Sequence, residues 1–368
     1  MKIVHLIPSL VKGGAERITL DIYEELMKYP EHEVKLVYFR DINDYRYITD
    51  KLNVQKINIS FQLSLKSSSK GDVKELDDFI QDFQPDIIHS HLFESEVMLS
   101  QIKYNKAKYI VHFHDNMYQF KKWSGKLTKK HLTDWYERKL VVKSYKSKQV
   151  KFIGISNNTM AYMHKNLPRH SKSHLLLNGV KLERFREVES KKRENLTMVM
   201  IASLVDKKNQ ELAIKVVKEL HKRGYLFKLH LLGDGKNKST LFKLINSLDL
   251  SDYVFLKGNV DNPEDYLLTS EIYLHTAKYE PFGLVLIEAM AAGIPIVCTD
   301  GKGNRDLIKN NDNGIINFSF DFNDLADEII KLHLDESLKL NLVKNAKDYC
   351  EQYDIKLYVQ KLMEIYKD

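Results

Sequence analysis

Two glutamates, Glu280 and Glu288, stand at the start and inside a predicted helix in the second half of the chain. The start of this helix leaves backbone amides free around Phe282, Gly283 and Leu284, and the positive end of the helix dipole adds to their field. These groups can bind an anion or a hydroxyl oxygen. A carboxylate on either side adds acceptors for sugar hydroxyl groups, so the segment predicts a ligand site.

The alternative is that Glu280 is only an N-terminal helix charge and that Glu288 is only a surface residue. We favour the functional interpretation for one reason. A glutamate between Ile287 and Ala289, on an otherwise apolar helix, is costly unless it meets a partner.

Histidines alternate in two other segments of the chain. His112 and His114 lie at the end of a predicted strand, so they point to the same face, and Asp115 follows them. His89 and His91 form a second alternating pair. Because alternating histidines on strands are good metal chelators, the two pairs with Asp115 offer one alternative function, that of a metal-dependent hydrolase.

Apolar, β-rich runs alternate with longer amphipathic stretches, which predicts strands separated by helices. In the first half the predicted strands are Lys2 to Ile7, Val34 to Phe39, Ile87 to His89, Tyr109 to Phe113 and Phe152 to Ile155, with helices such as Arg17 to Met27 and Val73 to Phe83. In the second half they are Thr197 to Ala202, Lys228 to Leu232, Val254 to Leu256, Ile272 to His275 and Ile294 to Cys298. This alternation is typical of βαβ units with parallel sheets.

Two doubly wound α/β domains are therefore predicted. The polar stretch at residues 186–195 predicts the linker, so we expect an N-terminal domain of residues 1–188 and a C-terminal domain of residues 189–352. A final amphipathic helix, at about residues 353–368, is expected to pack back on the first domain. Ligands of such sheets bind outside the carboxyl ends of the strands, so two facing domains would place the active site in the cleft between them.

The composition is that of an ordinary globular protein. With 368 residues, 43% hydrophobic and 29% charged, it excludes collagen-like and disordered classes. Cys298 and Cys350 give neither a disulfide framework nor zinc-ligand spacing, so a reducing cytoplasm is the expected compartment. The first residues lack a small-residue cleavage site, and no segment approaches the roughly 20 apolar residues of a spanning helix, so a signal peptide and a membrane span are not expected.

Basic residues are concentrated in the first half of the chain. Residues 1–190 carry 32 Lys and Arg against 23 Asp and Glu, whereas the remainder carries 25 against 27. Lys121 to Lys151 alone holds 11 basic and two acidic residues, with Trp and Tyr between them. This stretch is either a solvated helix face or a contact with an anionic membrane surface. No nucleic-acid-binding fingerprint accompanies the charge, so nucleic acid is not expected as a partner.

Five segments in order along the chain resemble the motifs of one enzyme family. Glu280 to Glu288, EPFGLVLIE, is similar to the donor-site motif of the family 4 retaining glycosyltransferases. The other four segments are Lys12 to Arg17 (KGGAER), Leu177 to Phe185 (LNGVKLERF), Leu232 to Gly235 (LGDG) and Phe255 to Gly258 (FLKG). The resemblance implies a GT-B fold and transfer of a sugar from a nucleotide donor, with its anomeric configuration retained.

By this resemblance Glu280 would hold a hydroxyl of the donor sugar and stabilise the developing oxocarbenium charge. The amides of Phe282, Gly283 and Leu284 would hold further sugar oxygens, and Glu288 would accept from the ribose hydroxyls. No cofactor or bound metal is then expected besides the nucleotide-sugar substrate, for which a UDP-sugar is the first choice by family frequency.

The resemblance also implies roles for residues outside this helix. Lys208 would neutralise the diphosphate leaving group, and Gly13 and Gly14 would bring backbone amides close to the same phosphates. Val260 would line the base pocket. His114 would reach the donor sugar or the acceptor, although an isolated histidine there would more simply be a hydrogen-bonded structural residue.

One departure from the family pattern concerns the diphosphate. Many members have Gly-Arg before the lysine, whereas this chain has Ala202 and Ser203. Either a neighbouring cation such as Lys207 compensates or the donor differs, and we favour compensation because Lys207 and Lys208 share one loop.

The function predicted from the sequence is therefore a cytoplasmic, peripherally membrane-associated glycosyltransferase acting on a surface-glycan or lipid-linked saccharide acceptor. The metal-dependent hydrolase leaves EPFGLVLIE and the second domain unused, and activity lost to a chelator and restored by zinc would favour it. A two-lobed sugar-binding protein without catalysis is the third alternative, and nucleotide release from a donor would exclude it.

Overall fold

The computed structural model describes residues 1–62, 70–122, 128–168, 171–186 and 194–368. The chain divides into two compact units, Met1–Asn178 with Ile355–Asp368, and Gly179–Asp354. The domain boundary predicted at residues 188 and 189 lies within 187–193, outside the described residues.

The first unit is built on a parallel sheet. Its described strands are β1 (Lys2–Ile7), β2 (Glu33–Tyr38), β3 (Val54–Lys56), β4 (Ser60–Gln62), β5 (Lys70–Asp72), β6 (Ile87–His91), β7 (Lys108–Phe113), β8 (Gln149–Gly154) and β9 (Lys172–Leu175). The seven-stranded sheet has the order β3-β2-β1-β6-β7-β8-β9, with every pair parallel, and β4 pairs with β5 in a separate antiparallel ribbon.

Helices cover this sheet. They are α1 (Gly14–Leu26), α2 (Arg46–Thr49), α3 (Lys74–Phe83), α4 (Leu92–Leu99), α5 (Lys129–Ser144) and α6 (Asn157–Asn166). Five successive residues of β1 are buried, as expected for a strand covered on both faces. The apolar runs of the sequence therefore mark the central strands, and the amphipathic stretches between them are the covering helices.

The second unit repeats the arrangement. Its strands are β10 (Glu194–Ile201), β11 (Lys228–Leu232), β12 (Val254–Gly258), β13 (Ser270–His275), β14 (Ile296–Thr299) and β15 (Ile315–Asn317), in the parallel order β12-β11-β10-β13-β14-β15. Its helices are α7 (Gln210–Lys222), α8 (Lys238–Ser247), α9 (Pro263–Thr269), α10 (Leu284–Ala291), α11 (Asn304–Leu307), α12 (Phe322–Leu334) and α13 (Glu336–Cys350). Two parallel-sheet α/β units confirm the predicted doubly wound fold class.

The strand orders place one switch point in each sheet. In the first sheet the chain order reverses between β1 and β6, and in the second it reverses between β10 and β13. Ligands of doubly wound sheets bind at the carboxyl ends of the strands that flank such a point. Functional side chains are therefore expected in the loops that follow these four strands.

The last helix, α14 (Ile355–Lys367), belongs to the first unit and packs on α1. Lys151 donates to the carbonyl oxygen of Ile365 at 2.9 Å, and Lys108 donates to those of Tyr366 and Lys367 at 3.1 and 3.0 Å. Cations at a helix carboxyl end offset its negative dipole end. The described helices include none that is both long and apolar enough to cross a bilayer.

These contacts show that the basic stretch Lys121 to Lys151 is not exposed throughout, in contrast to the exposed face that the sequence predicts. Lys151 is only 6% exposed, so it holds α14 rather than facing an anionic partner. Lys148 also turns inward, donating to the carbonyl oxygen of Leu99 at 2.6 Å, and burial lowers its pKa to about 8. Residues 123–127 of the same stretch lie outside the described residues.

Candidate active site

The switch point of the second sheet brings together two of the predicted site residues. Lys208 lies in the loop after β10, and Glu280 lies in the loop after β13. The Lys208 ammonium donates to Oε2 of Glu280 in an ion pair. The Glu280 residue is 8% exposed. A buried carboxylate and a cation therefore share one site where the fold predicts a ligand.

Main-chain hydrogen bonds hold the two loops together. The carbonyl oxygen of Lys207 accepts from the amides of Lys278 and Tyr279 at 2.8 and 3.3 Å. The Thr276 hydroxyl donates to the carbonyl oxygen of Asn209 at 2.9 Å. Asn209 has φ of 55°, a left-handed conformation that asparagine tolerates better than most residues. The position of Lys208 beside Glu280 is thus fixed by the backbone on both sides of the pair.

A glycine loop supports the backbone of Glu280. Its amide donates to the carbonyl oxygen of Gly301 at 2.8 Å. A Cβ added to Gly303 would lie 2.2 Å from the carbonyl oxygen of Glu280. Only glycine allows so close an approach of the two backbone segments, so the segment after β14 helps to fix the position of Glu280.

His275, the last residue of β13, is a site residue that sequence reasoning missed. Its ring lies 3.1 Å from Oε2 of Glu280 through Nε2, and 3.1 Å from the Tyr273 hydroxyl through Nδ1. Burial lowers the pKa of His275, so the ring is neutral at pH 7. A carboxylate can only accept, so Nε2 carries the proton and Nδ1 accepts from Tyr273.

The partners of Glu280 decide its charge. Burial alone would raise its pKa, but Lys208 and the hydrogen bond from His275 outweigh burial and lower the pKa to about 2. Glu280 is therefore ionised at neutral pH even though it is buried. The described part of the site thus contains a fixed carboxylate, which accepts hydrogen bonds from hydroxyl groups, and an ammonium group, which binds anionic oxygens.

The helix predicted after Glu280 starts at Leu284. Gly283 caps it with φ of 98°, a left-handed conformation that favours glycine. Phe282 is buried, and its ring packs edge-on against Tyr353 with centroids 6.0 Å apart. The three predicted amides, of Phe282, Gly283 and Leu284, thus lie at the start of an eight-residue helix.

Glu288 lies within α10 and is half-buried. Burial raises the pKa of Tyr273 far above its ordinary value, and the charges of both Glu280 and Glu288 raise it further. Both carboxylates thus lie within electrostatic range of the Tyr273 hydroxyl group.

The loop before α1 in the first unit contains two predicted phosphate-binding glycines. Gly13 caps α1 and exchanges hydrogen bonds with the Tyr45 hydroxyl, whereas Gly14 is the exposed first residue of the helix. Glu16 lies under this loop, and a Cβ on Gly13 would come within 2.4 Å of its carboxylate. Burial raises the pKa of Glu16 to about 7. This buried acid is a second feature that the motif KGGAER did not lead us to predict.

The remaining predicted residues are described as the structure places them. His114 lies in the first unit, directly after β7, and burial lowers its pKa to about 3. Val260 is half-buried in the loop after β12. Ser203 is exposed, and the Lys207 ammonium lies 5.8 Å from the centre of the Tyr279 ring. The roles of His114 and Val260, and compensation by Lys207, stay predictions.

Comparison with known proteins covers both units. The family model "Glycosyltransferase Family 4" matches residues 12–184, and "Glycosyl transferases group 1" matches residues 182–349. The solved structure of Anabaena HepE in complex with UDP-glucose has a TM-score of 0.81 at 19% identity, covering 100% of this chain and 99% of HepE.

Two curated relatives match part of the chain. The poly(ribitol-phosphate) alpha-N-acetylglucosaminyltransferase of Staphylococcus aureus is 31% identical over 168 residues, 45% of this chain and 34% of that protein. The N-acetylgalactosamine-N,N'-diacetylbacillosaminyl-diphospho-undecaprenol 4-alpha-N-acetylgalactosaminyltransferase of Campylobacter jejuni is 28% identical over 186 residues, 50% of each chain. The chain thus spans half or less of the length of these relatives.

Two Rossmann-like units, with charged residues at the switch point of the second, define a GT-B fold, as the sequence resemblance implied. Since the two family models together span residues 12–349, the chain belongs to glycosyltransferase family 4.

Proposed function

We propose that this protein is a retaining glycosyltransferase that uses a nucleoside diphosphate sugar, a UDP-sugar first, and a surface-glycan or lipid-linked saccharide acceptor. The observation that carries the proposal is the buried pair of Lys208 and Glu280 at the switch point of the second sheet. Leaving-group departure from such a donor creates negative charge on the diphosphate and positive charge on the sugar. In the pair, the positive charge of Lys208 offsets the charge on the diphosphate, and the negative charge of Glu280 offsets the charge on the sugar.

Glu280 serves the sugar in this proposal. With its pKa lowered to about 2, it is a permanent acceptor for a sugar hydroxyl and a fixed negative charge near the oxocarbenium-like transition state. His275 holds this carboxylate from behind, so it is a positioning residue. The amides at the start of α10 bind further sugar oxygens, and Glu288 accepts from the ribose.

Lys208 serves the diphosphate. An ammonium has three N–H donors, and the bond to Glu280 uses one of them, so two remain for phosphate oxygens. In the first unit the backbone amides at Gly13 and Gly14 are proposed to bind phosphate oxygens of a donor. This assignment needs no metal ion to meet the leaving charge.

The names of two relatives support a saccharide-transfer function with an anionic acceptor. The printed name of the Staphylococcus relative specifies a poly(ribitol-phosphate), and that of the Campylobacter relative an undecaprenol-linked saccharide. Both acceptors are anionic, which suits the basic first half of this chain.

A screen of nucleotide sugars tests the proposed function. The full-length protein, in buffer with a chelator, is mixed with a panel of UDP-, GDP-, ADP- and dTDP-sugars, and its melting temperature and the release of nucleotide are measured. A cognate donor should raise the melting temperature and be cleaved. Glu280→Gln should abolish cleavage, whereas Glu211→Gln, at an exposed residue of α7, should not. If no donor stabilises the protein or is cleaved, the proposal fails.

Membrane attachment through α5 is a second part of the proposal. The exposed lysines of this helix flank Trp135, which is 40% exposed and stacks with the Lys139 ammonium at 5.3 Å. Basic side chains beside an exposed tryptophan suit an anionic headgroup layer. Reversing Lys130, Lys139 and Lys143 to Glu should abolish sedimentation with phosphatidylglycerol vesicles, whereas reversing Lys215, Lys222 and Lys236 should not. Equal vesicle binding by both variants would reject this role for α5.

A further inference from the structure

Five histidines meet at the switch point of the first sheet. They come from three neighbouring strands: His5 from β1, His89 and His91 from β6, His112 from β7, and His114 from the residue that follows β7. His5 is directly opposite His89, and His91 is opposite His112 in the strand register. The first four have no exposed surface, and His114 is 8% exposed.

The cluster contains two overlapping triads whose nitrogen atoms lie within 4.8 Å of one another: His5, His89 and His91, and His91, His112 and His114. The two triads differ in how many of their ring nitrogens already have hydrogen-bond partners. His5 contacts His91 at 2.9 Å and the Tyr366 hydroxyl at 3.4 Å, and His89 contacts Tyr366 at 2.6 Å and His112 at 3.2 Å. Both nitrogens of His5 and of His89 are therefore occupied.

The second triad has unsatisfied nitrogens. Nε2 of His112 and Nδ1 of His114 are buried and have no hydrogen-bond partner in the described structure. A buried polar atom without a partner is costly, so two of them on stacked rings point to a ligand. The two rings are stacked with centroids 4.0 Å apart, which puts both residues on one side of their strand.

We propose that His91, His112 and His114 bind one divalent transition metal ion, with Zn²⁺ as the expected ion. Three imidazoles form a nitrogen donor set that favours Zn²⁺ over Mg²⁺ or Ca²⁺, which prefer oxygen ligands. Three protein ligands leave a fourth coordination position open. His114, at the partly exposed edge of the cluster, gives the ion its way in.

The rest of the cluster forms the outer layer of this site. His5 contacts His91, and His89 contacts His112, through the ring nitrogens described above, so both ligand rings are held in orientation. Tyr366 from α14 joins the two supporting histidines. The one contact that the ion must replace is the hydrogen bond between His91 and His114, at 2.8 Å.

The protonation state of the cluster suits metal binding. Burial lowers the pKa of all five histidines, to about 3 for His5 and His114, and the neighbouring rings lower those of His89, His91 and His112 further. Neutral imidazole is the form that binds a metal.

This inference goes beyond the proposed glycosyl transfer and is tested without a nucleotide sugar. The 368-residue chain is stripped with a chelator and titrated with Zn²⁺ in competition with a chromophoric chelator. We expect one ion per chain with a submicromolar dissociation constant, and an increase of about 100-fold or more in that constant for His112→Asn and for His114→Asn. His230→Asn, at a half-buried histidine of the second unit, is the matched control and should bind as the wild type does.

Cobalt gives an independent readout. Co²⁺ bound by the wild type should show the visible absorption bands of a tetrahedral nitrogen site, and both cluster variants should lose them. The proposal is overturned if the wild type binds Zn²⁺ within a few-fold of the cluster variants, or if the cobalt bands survive in them. Circular dichroism checks folding, and if His112→Asn is unfolded the edge variant His114→Asn decides. Failure of the nucleotide-sugar screen would leave these titrations unaffected, so the two proposals fail separately.

Discussion

The ion pair of Lys208 and Glu280 should be energetically coupled, and a double-mutant cycle of Glu280→Gln and Lys208→Met measures that coupling. The fall of the Glu280 pKa from 4.5 to about 2 corresponds to about 3 kcal/mol, at about 1.4 kcal/mol per pH unit. Lys208 and His275 together supply this net stabilisation after offsetting the cost of burying the carboxylate. We therefore expect a coupling free energy of about 2 kcal/mol between Glu280 and Lys208, and a loss of about 3 kcal/mol for Glu280→Gln alone.

Urea unfolding followed by far-UV circular dichroism is the assay. Both tryptophans, Trp123 and Trp135, belong to residues 1–178, so their fluorescence would not report the unit that contains the pair. The control is a cycle on Glu211 and Lys215 of α7, a 2.6 Å pair with side chains 58% and 45% exposed, for which we expect about 0.5 kcal/mol or less. A coupling for Lys208 and Glu280 no larger than that of the control would refute the reasoning.

The same pair predicts a pH dependence. The folded pKa of Glu280 lies below its ordinary value, so its stabilisation is complete above about pH 4.5 and is lost as the pH falls toward 2. The difference in unfolding free energy between wild type and Glu280→Gln should be constant from pH 5 to 8 and shrink below that range. A difference that grows on acidification would contradict the assigned charge.

Glu16, Gly303 and Lys151 carry three more predictions. Burial raises the pKa of Glu16 from 4.5 to about 7, so the free energy of unfolding of the first unit should fall as the pH rises between these values. In urea unfolding, Glu16→Gln should remove up to about 3 kcal/mol of this fall, and an unchanged pH profile would contradict the prediction. Gly303→Ala should weaken binding of the cognate nucleotide sugar about 10-fold by displacing Glu280. Gly224→Ala, where a Cβ meets no atom within 4 Å, should leave that affinity unchanged, and equal affinities for the two variants would show that the close approach is unimportant. Lys151→Met should lower the unfolding free energy of the first unit, followed by tryptophan fluorescence, by about 1–3 kcal/mol. The control Lys146→Met, at an exposed lysine, should lower it by about 0.5 kcal/mol or less, and equal losses would show that Lys151 does not hold α14.

Local sequence patterns were sufficient to predict most of the described strands. β11 has the predicted bounds Lys228–Leu232, and β1 has the predicted bounds Lys2–Ile7, because both are short runs rich in apolar residues. The first is followed by Gly233 and the second by Pro8, which favour the end of a strand. Helix α1 begins at Gly14 rather than at Arg17. The two glycines favour a loop in any local analysis, whereas Gly13 in fact caps the helix.

The partners of the site residues could not be predicted in the same way. Glu280 and Lys208 were found through motifs, but His275 is the final residue of an apolar strand, and nothing local shows that its ring meets Glu280. His5 likewise joins the histidine cluster only because β1 pairs with β6, more than 80 residues later. These contacts depend on strand order, which sequence spacing does not specify.

Charge patterns were also insufficient at Lys151. A run of basic residues indicates a solvated or anion-binding face, and most lysines of α5 are exposed as expected. Lys151 turns inward because α14, about 200 residues later, brings its carbonyl oxygens to the same place. Docking of a distant helix therefore decided the orientation of a side chain whose own neighbours are basic.

Calorimetric titration with UDP is the most direct test that the second unit holds the diphosphate of a donor at Lys208. Loss of charge-assisted hydrogen bonds worth about 1.5–3 kcal/mol should weaken UDP binding at least about 10-fold in Lys208→Met. Lys215→Met, at an exposed lysine of the helix that follows, should bind UDP as the wild type does. Equal UDP affinities for the wild type and Lys208→Met would contradict the proposed site.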